Sequence, residues 1–127
     1  MAELSPPLVR RLAEIAGLKV YLVSGEYIRN HIDIDFTAGG NSGVYPYVPV
    51  DEIWIDDALH GLDQTATTYH EIVERYHMIY HHMSYDKAHD MANSAEDGFR
   101  KELRRAGVKD FDARRVASAV TKYLGRA

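Results

Sequence analysis

The segment from Thr68 to Glu96 constrains this chain more than any other, because it holds five of the seven histidines. Laid on a helix at 100° per residue, its apolar and aromatic side chains share one face, and a stripe of histidine and glutamate runs beside them. The face comprises Tyr69, Ile72, Val73, Tyr76, Tyr80 and Met83, and the stripe comprises His70, Glu74, His77 and His81. This pattern predicts a helix with one face in the core and a neighbouring row of candidate metal ligands.

A second helix is predicted after Ser84, a favourable N-cap residue that is followed by Asp86 in the first turn. Its apolar side and its polar stripe again lie next to each other. The apolar side comprises Ala88, Met91, Ala92, Ala95, Phe99 and Leu103, and the stripe comprises His89, Asn93, Glu96 and Arg100. Because few residues remain for a loop, we expect an antiparallel hairpin with the polar stripes beside a shared core. The expected seam comprises Tyr76, Tyr80, Ala92 and Ala95.

The cluster His70-Glu71-x-x-Glu74 has the spacing of a metal-binding helix motif. Residues four apart lie one above the other on a helix, so His70 and Glu74 can reach the same ion. Glu71 lies about 100° round the helix and can reach a water on that ion, which suits a general base. The chain has no cysteine, so histidine and carboxylate must supply the ligands. We expect a divalent metal, zinc before manganese or iron.

The third ligand must come from the second helix. With the turn near Met83 and Ser84, Glu96 lies level with Glu71, and the lean of side chains towards their own N-termini brings Glu96 towards Glu74. We therefore predict Glu96 as the third ligand. His89 is the alternative, and it requires a longer turn or a slide of the two helices.

Composition narrows the class of protein. The first 17 residues carry prolines and charges where a signal peptide needs an apolar core, and no run approaches the roughly 18 apolar residues of a membrane span. We expect a soluble, cytoplasmic protein with no membrane partner.

The charge is unevenly distributed along the chain. Residues 1–99 carry 6 Lys+Arg and 16 Asp+Glu, a net charge of −10, whereas residues 100–127 carry 9 Lys+Arg and 3 Asp+Glu, a net charge of +6. We interpret this basic tail as a solvated helix face, with weak nucleic-acid contact as the alternative.

The remaining segments predict an α+β fold. A first helix is predicted from Ser5 to Ala16, and strands are predicted at residues 18–25, 27–36 and 52–56. The glycine-rich residues 38–43 read as a hairpin connection, and residues 44–48 as an edge strand or irregular arm because of Pro46. The long helix is capped by one of three threonines, Thr65, Thr67 or Thr68. A last helix begins at Asp110 or Asp112.

We expect one domain over residues 1–127. Residues 1–62 would form the N-terminal helix and a small, mostly antiparallel sheet, and residues 63–127 would form the helical hairpin and the last helix. The strand Glu52-Ile53-Trp54-Ile55-Asp56 alternates, with Ile53 and Ile55 on one face and Trp54 on the other. As a sheet edge, it is predicted to bind an extended peptide by strand addition through a candidate substrate-binding set. That set comprises Glu52, Ile53, Trp54 and Ile55.

Four motifs resemble those of small uncharacterised proteins of phages and prophages. They are DFTAGG (35–40), EIWID (52–56), HEIVER (70–75) and SYDKAHDMANSAE (84–96), and their span covers about half of the chain. A looser similarity is to zincin-type metallopeptidases, in which a helix carrying His-Glu lies beneath a sheet edge. That resemblance implies His70, Glu74 and Glu96 as ligands and Glu71 as the general base. This chain departs from it in having Glu74 where zincins have a second histidine.

Two functional hypotheses follow. The first is a zincin-like, metal-dependent hydrolase of phage type in the host cytoplasm that acts on peptide or amide bonds of a peptide or protein. The second is a non-enzymatic interaction protein, in which the histidines and glutamates form a hydrogen-bonded network between two helices. His89-Asp90 also resembles the paired ligands of metal phosphohydrolases, and Glu74-x-x-His77 resembles a di-iron motif. The chain is short for the former and lacks the second copy for the latter.

Overall fold

The computed structural model describes residues 4–126, and within that range it contains four helices and four strands. The elements are, in chain order, β1 (Leu8–Ile15), β2 (Leu18–Val23), α1 (Gly25–His31), β3 (Gly39–Asn41), β4 (Glu52–Asp56), α2 (Gly61–Tyr80), α3 (Tyr85–Arg105) and α4 (Ala113–Arg126). The predicted α+β class is confirmed. Residues 1–3 and 127, which the domain prediction includes, lie outside the described part.

The strands form one mixed sheet in the order β1-β2-β4-β3. β2 pairs antiparallel with β1 and parallel with β4, and β3 pairs antiparallel with β4. Antiparallel pairing therefore dominates, as predicted. β4 lies in the interior of the sheet, and the short strand β3 forms the edge on its far side.

The two faces of the sheet are covered by different layers. The face that carries Val20, Leu22, Ile53 and Ile55 packs under α2, with α3 and α4 completing this larger core. Trp54 points to the opposite face, where Val23, Ile28, Phe36 and Val48 form a second, smaller core. The alternation predicted for β4 is confirmed, and it places α2 directly on the sheet. Across the described residues, no helix combines the length and apolarity needed to cross a membrane.

The N-terminal helix prediction is wrong, because residues 8–15 form the edge strand β1. Ala16 and Gly17 have positive φ angles of 52° and 78°, which suit the two-residue turn of a tight hairpin into β2. Two register shifts interrupt the β1–β2 ladder. Pairing with β2 overrides the helical spacing of the apolar residues in this segment.

The strand predicted over residues 27–36 is also wrong. Ser24 accepts a hydrogen bond from the Tyr27 backbone N–H and caps the short helix α1, and the chain then runs irregularly. The burial of this segment does not follow a strand, since Ile34 is 79% exposed while Phe36, on the same side of an extended chain, is fully buried. Residues 39–41, predicted as a connection, form β3, whereas residues 44–48 form an irregular arm, as predicted.

The helical hairpin is formed as predicted, with two adjustments. Ser84 caps α3 by accepting from the Lys87 backbone N–H. α2 begins at Gly61 rather than at one of the threonines, and its N-cap is His60. Tyr80 is 63% exposed, so the seam between α2 and α3 ends before the last turn of α2. Asp112 accepts from the Arg115 backbone N–H at the start of α4, in agreement with the prediction.

Candidate metal centre

α2 is covered by the sheet on one side and by α3 and α4 on the other, so its polar side chains are buried with it. His70 is 5% exposed, Glu71 6% and Glu74 2%. Burying ionisable groups costs free energy unless each of them is paired. The partners of these three residues therefore define what the site can do.

His70, Glu74 and His89 form a group that could hold a metal ion, because one ligand atom from each lies within 4.8 Å of the others. Glu74 Oε2 lies 3.1 Å from His70 Nε2 and 2.7 Å from His89 Nδ1. Ligands bonded to a tetrahedral zinc ion lie about 3.3 Å apart, given bonds of about 2.0–2.1 Å. Small movements of the side chains would therefore suffice to accommodate an ion.

Glu96 lies on the other side of the His70 ring. Its Oε1 atom is 2.8 Å from His70 Nδ1, which is ion-pair distance, but no aligned hydrogen bond forms at this buried nitrogen. Arg100 Nε donates to Glu96 Oε2 at 2.6 Å, and a second Arg100 nitrogen donates to Asp63 at 2.7 Å. Glu96, which was predicted as the third ligand, therefore contacts His70, whereas His89 contacts Glu74.

This arrangement follows from the register of the hairpin. α2 ends at Tyr80 and α3 starts at Tyr85, so His89 lies in the second turn of α3, where it reaches back to Glu74. Glu96 lies two turns further along α3 and meets His70, one turn earlier on α2. Glu96 was predicted as the third ligand, and the structure instead groups His89, the alternative, with His70 and Glu74.

Glu71 lies next to this group and shares a donor with it. Asn41 Nδ2 donates to Glu71 Oε1 at 3.0 Å and to Glu74 Oε1 at 3.2 Å. Burial, reinforced by the charge of Glu74, raises the pKa of Glu71 to about 8. A carboxyl group with a pKa near neutrality, held beside a ligand group, has the property that a general base requires.

Asn41 was not predicted as a site residue, because it lies in a glycine-rich stretch that was predicted to be only a connection. Gly39, two residues earlier, explains the close approach of β3 to α2. A Cβ atom on Gly39 would lie 3.0 Å from the Trp54 carbonyl oxygen and 3.2 Å from Glu71 Cγ. The available signal was a polar residue next to paired glycines, which permit close backbone contact.

The positive charge of His70 lies between the negative charges of Glu74 and Glu96. Burial lowers the pKa of His70, but the carboxylates of Glu74 and Glu96 outweigh this effect and raise the pKa to about 10. Burial raises the pKa of Glu74, but hydrogen bonds with His70 and His89 hold it below its usual range. Burial also raises the pKa of Glu96, but the neighbouring charges of His70 and Arg100 hold it below its usual range. A protonated His70 thus supplies the positive charge that a bound cation would otherwise supply.

A cleft of about 460 Å³ opens onto this cluster between α2, α3 and the arm that follows β3. Tyr85 lines it and stacks on the His89 ring at a centroid distance of 5.1 Å. Tyr45 lines it as well, and Arg100 and Asn93 lie along α3. A larger groove of about 560 Å³ lies between α3 and α4, but it contains none of the clustered residues. The smaller cleft is therefore the candidate site.

The predicted substrate-binding strand is not available for strand addition. β4 is paired on both sides, to β2 and to β3, so its backbone groups are used within the sheet. Ile53 and Ile55 are fully buried, Trp54 is 5% exposed, and Glu52 accepts from the Trp54 ring nitrogen at 2.8 Å. This prediction is wrong because β4 is an interior strand, with β2 along one side and β3 along the other. The sheet edge that lines the cleft is β3, through Gly39.

No protein-family model, no curated protein and no solved structure matches this chain. The resemblance to phage-encoded proteins and to zincin-type metallopeptidases therefore stays a prediction from the motifs.

Proposed function

We propose that this protein is a zincin-like, metal-dependent hydrolase that cleaves peptide or amide bonds. The observation that carries the proposal is the meeting of three ligand atoms from two helices, within 4.8 Å of one another, beside the buried Glu71. An adjoining cleft of about 460 Å³ gives a substrate access to this cluster. A metal-assisted hydrolytic site has three elements, which are a group of metal ligands, a neighbouring carboxyl group such as that of Glu71, and an adjoining cleft.

Zinc is the ion that we propose first. Two histidines and one glutamate are a ligand set of catalytic zinc sites, in which a fourth position stays open for water or substrate. Manganese and iron accept the same donors and are the alternatives. Glu96 orients the His70 ring from its other nitrogen, as carboxylates commonly do for metal-bound histidines. Because His70 must give up its proton to bind an ion, metal binding releases protons.

The roles of the surrounding residues follow from their positions. His70, Glu74 and His89 would hold the divalent ion, which would supply polarisation of the scissile carbonyl and a lowered pKa of water. In its ionised form, Glu71 would accept the proton of the attacking water, and Asn41 donates the hydrogen bond that holds the Glu71 carboxyl in place. Ala38 O accepts from the Asp56 backbone N–H, so by antiparallel alternation the Gly39 carbonyl points away from β4, whereas the Gly39 N–H donates to Thr37 O. An extended peptide substrate donates to the Gly39 carbonyl at this edge of β3.

The test is metal content and hydrolysis in matched variants of protein purified without chelator. Wild-type protein should carry one firmly bound ion at this site and hydrolyse members of a fluorogenic peptide panel. Glu71→Gln should keep the ion and lose hydrolysis, whereas His70→Ala should lose both. If Glu71→Gln releases the ion, Glu71 is a ligand and not the base. Protein that takes up no ion even after reconstitution with zinc, manganese and iron contradicts the proposal.

One observation favours a second candidate, the non-enzymatic interaction protein. Glu74 is hydrogen-bonded to His70, His89 and Asn41, so these residues can act as a structural network between α2, α3 and β3. In that case His89→Ala destabilises the protein to the same extent with and without added metal. A metal-dependent hydrolase instead gives a loss of stability that grows when metal is added.

A further inference from the structure

The stripe of ligand-type side chains on α2 continues past Glu74 to His77 and His81. His77 is buried, with 2% of its surface exposed, and His81 is an exposed residue at the C-cap of the helix. Their Nδ1 atoms are 3.1 Å apart. His77 lies seven residues beyond His70, about 10 Å along the helix axis. This pair is therefore separate from the cluster around Glu74.

The surroundings hold the two imidazole rings in position. Tyr76 packs edge-on against both of them, with centroid distances of 5.3 Å to His77 and 4.8 Å to His81. On its far side, His77 Nε2 is hydrogen-bonded to the hydroxyl of Tyr123 in α4. When Nε2–H donates to this oxygen, Nδ1 keeps its lone pair and points at His81, which is the arrangement of metal-binding histidines with an oxygen partner behind them.

We propose that His77 and His81 form a second metal site, which takes one late first-row divalent cation and binds Cu²⁺ most tightly. Two nitrogens bonded to one ion at about 2.0–2.1 Å lie about 2.9 Å apart at a right angle and about 3.3 Å apart at the tetrahedral angle. The observed 3.1 Å falls between these values. Imidazole nitrogen suits copper, nickel and zinc, and the order of affinity among these ions places copper first.

The exposure of His81 completes the site. Its ring is open to solvent, so water can fill the remaining coordination positions of the ion. The metal-free pair is joined by a hydrogen bond, for which His81 Nδ1 carries the proton when His77 Nδ1 accepts. Because the His81 ring is exposed, its proton can move to Nε2 by exchange with water, which frees Nδ1 for the ion.

The experiment compares His81→Asn with His82→Asn in the full chain. Both positions are exposed, and Asn is well tolerated at the helix C-cap and at the positive φ of 53° of His82. Cu²⁺ is titrated from below one equivalent to above two, so that both proposed sites can fill, and the ring resonances of each histidine are followed by NMR. Wild-type protein and His82→Asn should show selective paramagnetic broadening of the His77 ring. His81→Asn should lose that broadening, and its copper stoichiometry in calorimetry should fall by one.

Other outcomes overturn the proposal. Broadening of His77 that persists in His81→Asn, or that is lost equally in His82→Asn, means that the pair is not the ligand. Absence of any response of His77 and His81 in the wild-type protein means that the 3.1 Å contact is a hydrogen bond only. Responses of His70 and His89 are read separately in the same spectra, so the proposed hydrolytic centre can fail or hold independently.

Discussion

Glu71 shows how strongly one buried carboxyl group can depend on its surroundings. It accepts from Asn41 and lies beside the charged Glu74, in a position where burial and Glu74 outweigh the attraction of His70. Its pKa is about 8, against an ordinary value of 4.5. Between these two pH values the unfolded chain releases the proton and the folded chain keeps it, so the stability that depends on this group falls as pH rises.

Glu71→Gln should therefore stabilise the metal-free protein at alkaline pH. Glutamine still presents an oxygen to Asn41 Nδ2, but it has no charge to bury. The difference between the melting temperatures of the variant and of the wild-type protein should increase in favour of the variant from pH 5 to pH 9. Thermal unfolding with chelator present measures it. An effect of equal size at both pH values would mean that Glu71 is already ionised in the folded protein.

At the level of elements, β3 reaches α2 because Gly39 has no side chain. A Cβ atom there would lie 3.0 Å from a backbone oxygen of β4 and 3.1 Å from Thr67 Cγ2, so β3 would have to move away from the helix. Such a movement would also draw Asn41 away from the two glutamates that it joins. The glycine thus links the edge of the sheet to the candidate metal centre.

Gly39→Ala should lower the free energy of unfolding by about 1–3 kcal/mol, the usual cost of overpacking. Gly98→Ala is the matched control, because its Cβ meets nothing within 4 Å and the residue lies in the interior of α3. The control should stabilise the protein by about 0.5–1 kcal/mol, since alanine is the better helix former. Urea denaturation measures both variants. If both substitutions change the free energy of unfolding in the same direction, the close approach of β3 to α2 is contradicted.

At the scale of the whole molecule, α2 lies between the sheet and the other two long helices. It packs on the sheet, contacts α3 and α4, and contributes ligand-type side chains that meet residues of each neighbour. An ion held jointly by α2 and α3 binds the folded chain and not the unfolded one. Such an ion stabilises the entire molecule by mass action.

Zinc should therefore raise the melting temperature of the wild-type protein. A free zinc concentration 100-fold above the dissociation constant corresponds to about 2.7 kcal/mol of added stability. His89→Ala should lose most of this shift, whereas His60→Ala, an exposed residue whose side chain makes no cap hydrogen bond, should keep it. Differential scanning fluorimetry over a wide range of zinc concentrations measures the effect. An unchanged melting temperature in the wild-type protein would contradict the proposed metal site.

The sequence alone determined the helical hairpin and the residues that line its polar stripes. Helical spacing is a local property, because residues four apart become neighbours through backbone hydrogen bonds within one segment. For that reason His70, Glu71 and Glu74 could be assigned to one site, and Ser84 to the start of α3. The α+β class followed from the order of the segments in the same way.

Only the tertiary structure decided the features that depend on contacts between distant segments. β1 is a strand because β2 pairs with it, and β4 is unavailable to a substrate because β2 and β3 occupy both of its edges. Asn41 reaches the glutamates across 30 residues of chain or more. His89 and Glu96 are less than two turns apart on α3, so the register of α3 against α2 decides which of them lies beside Glu74. Local spacing carries no information about strand partners or helix register, since packing of the whole chain sets both.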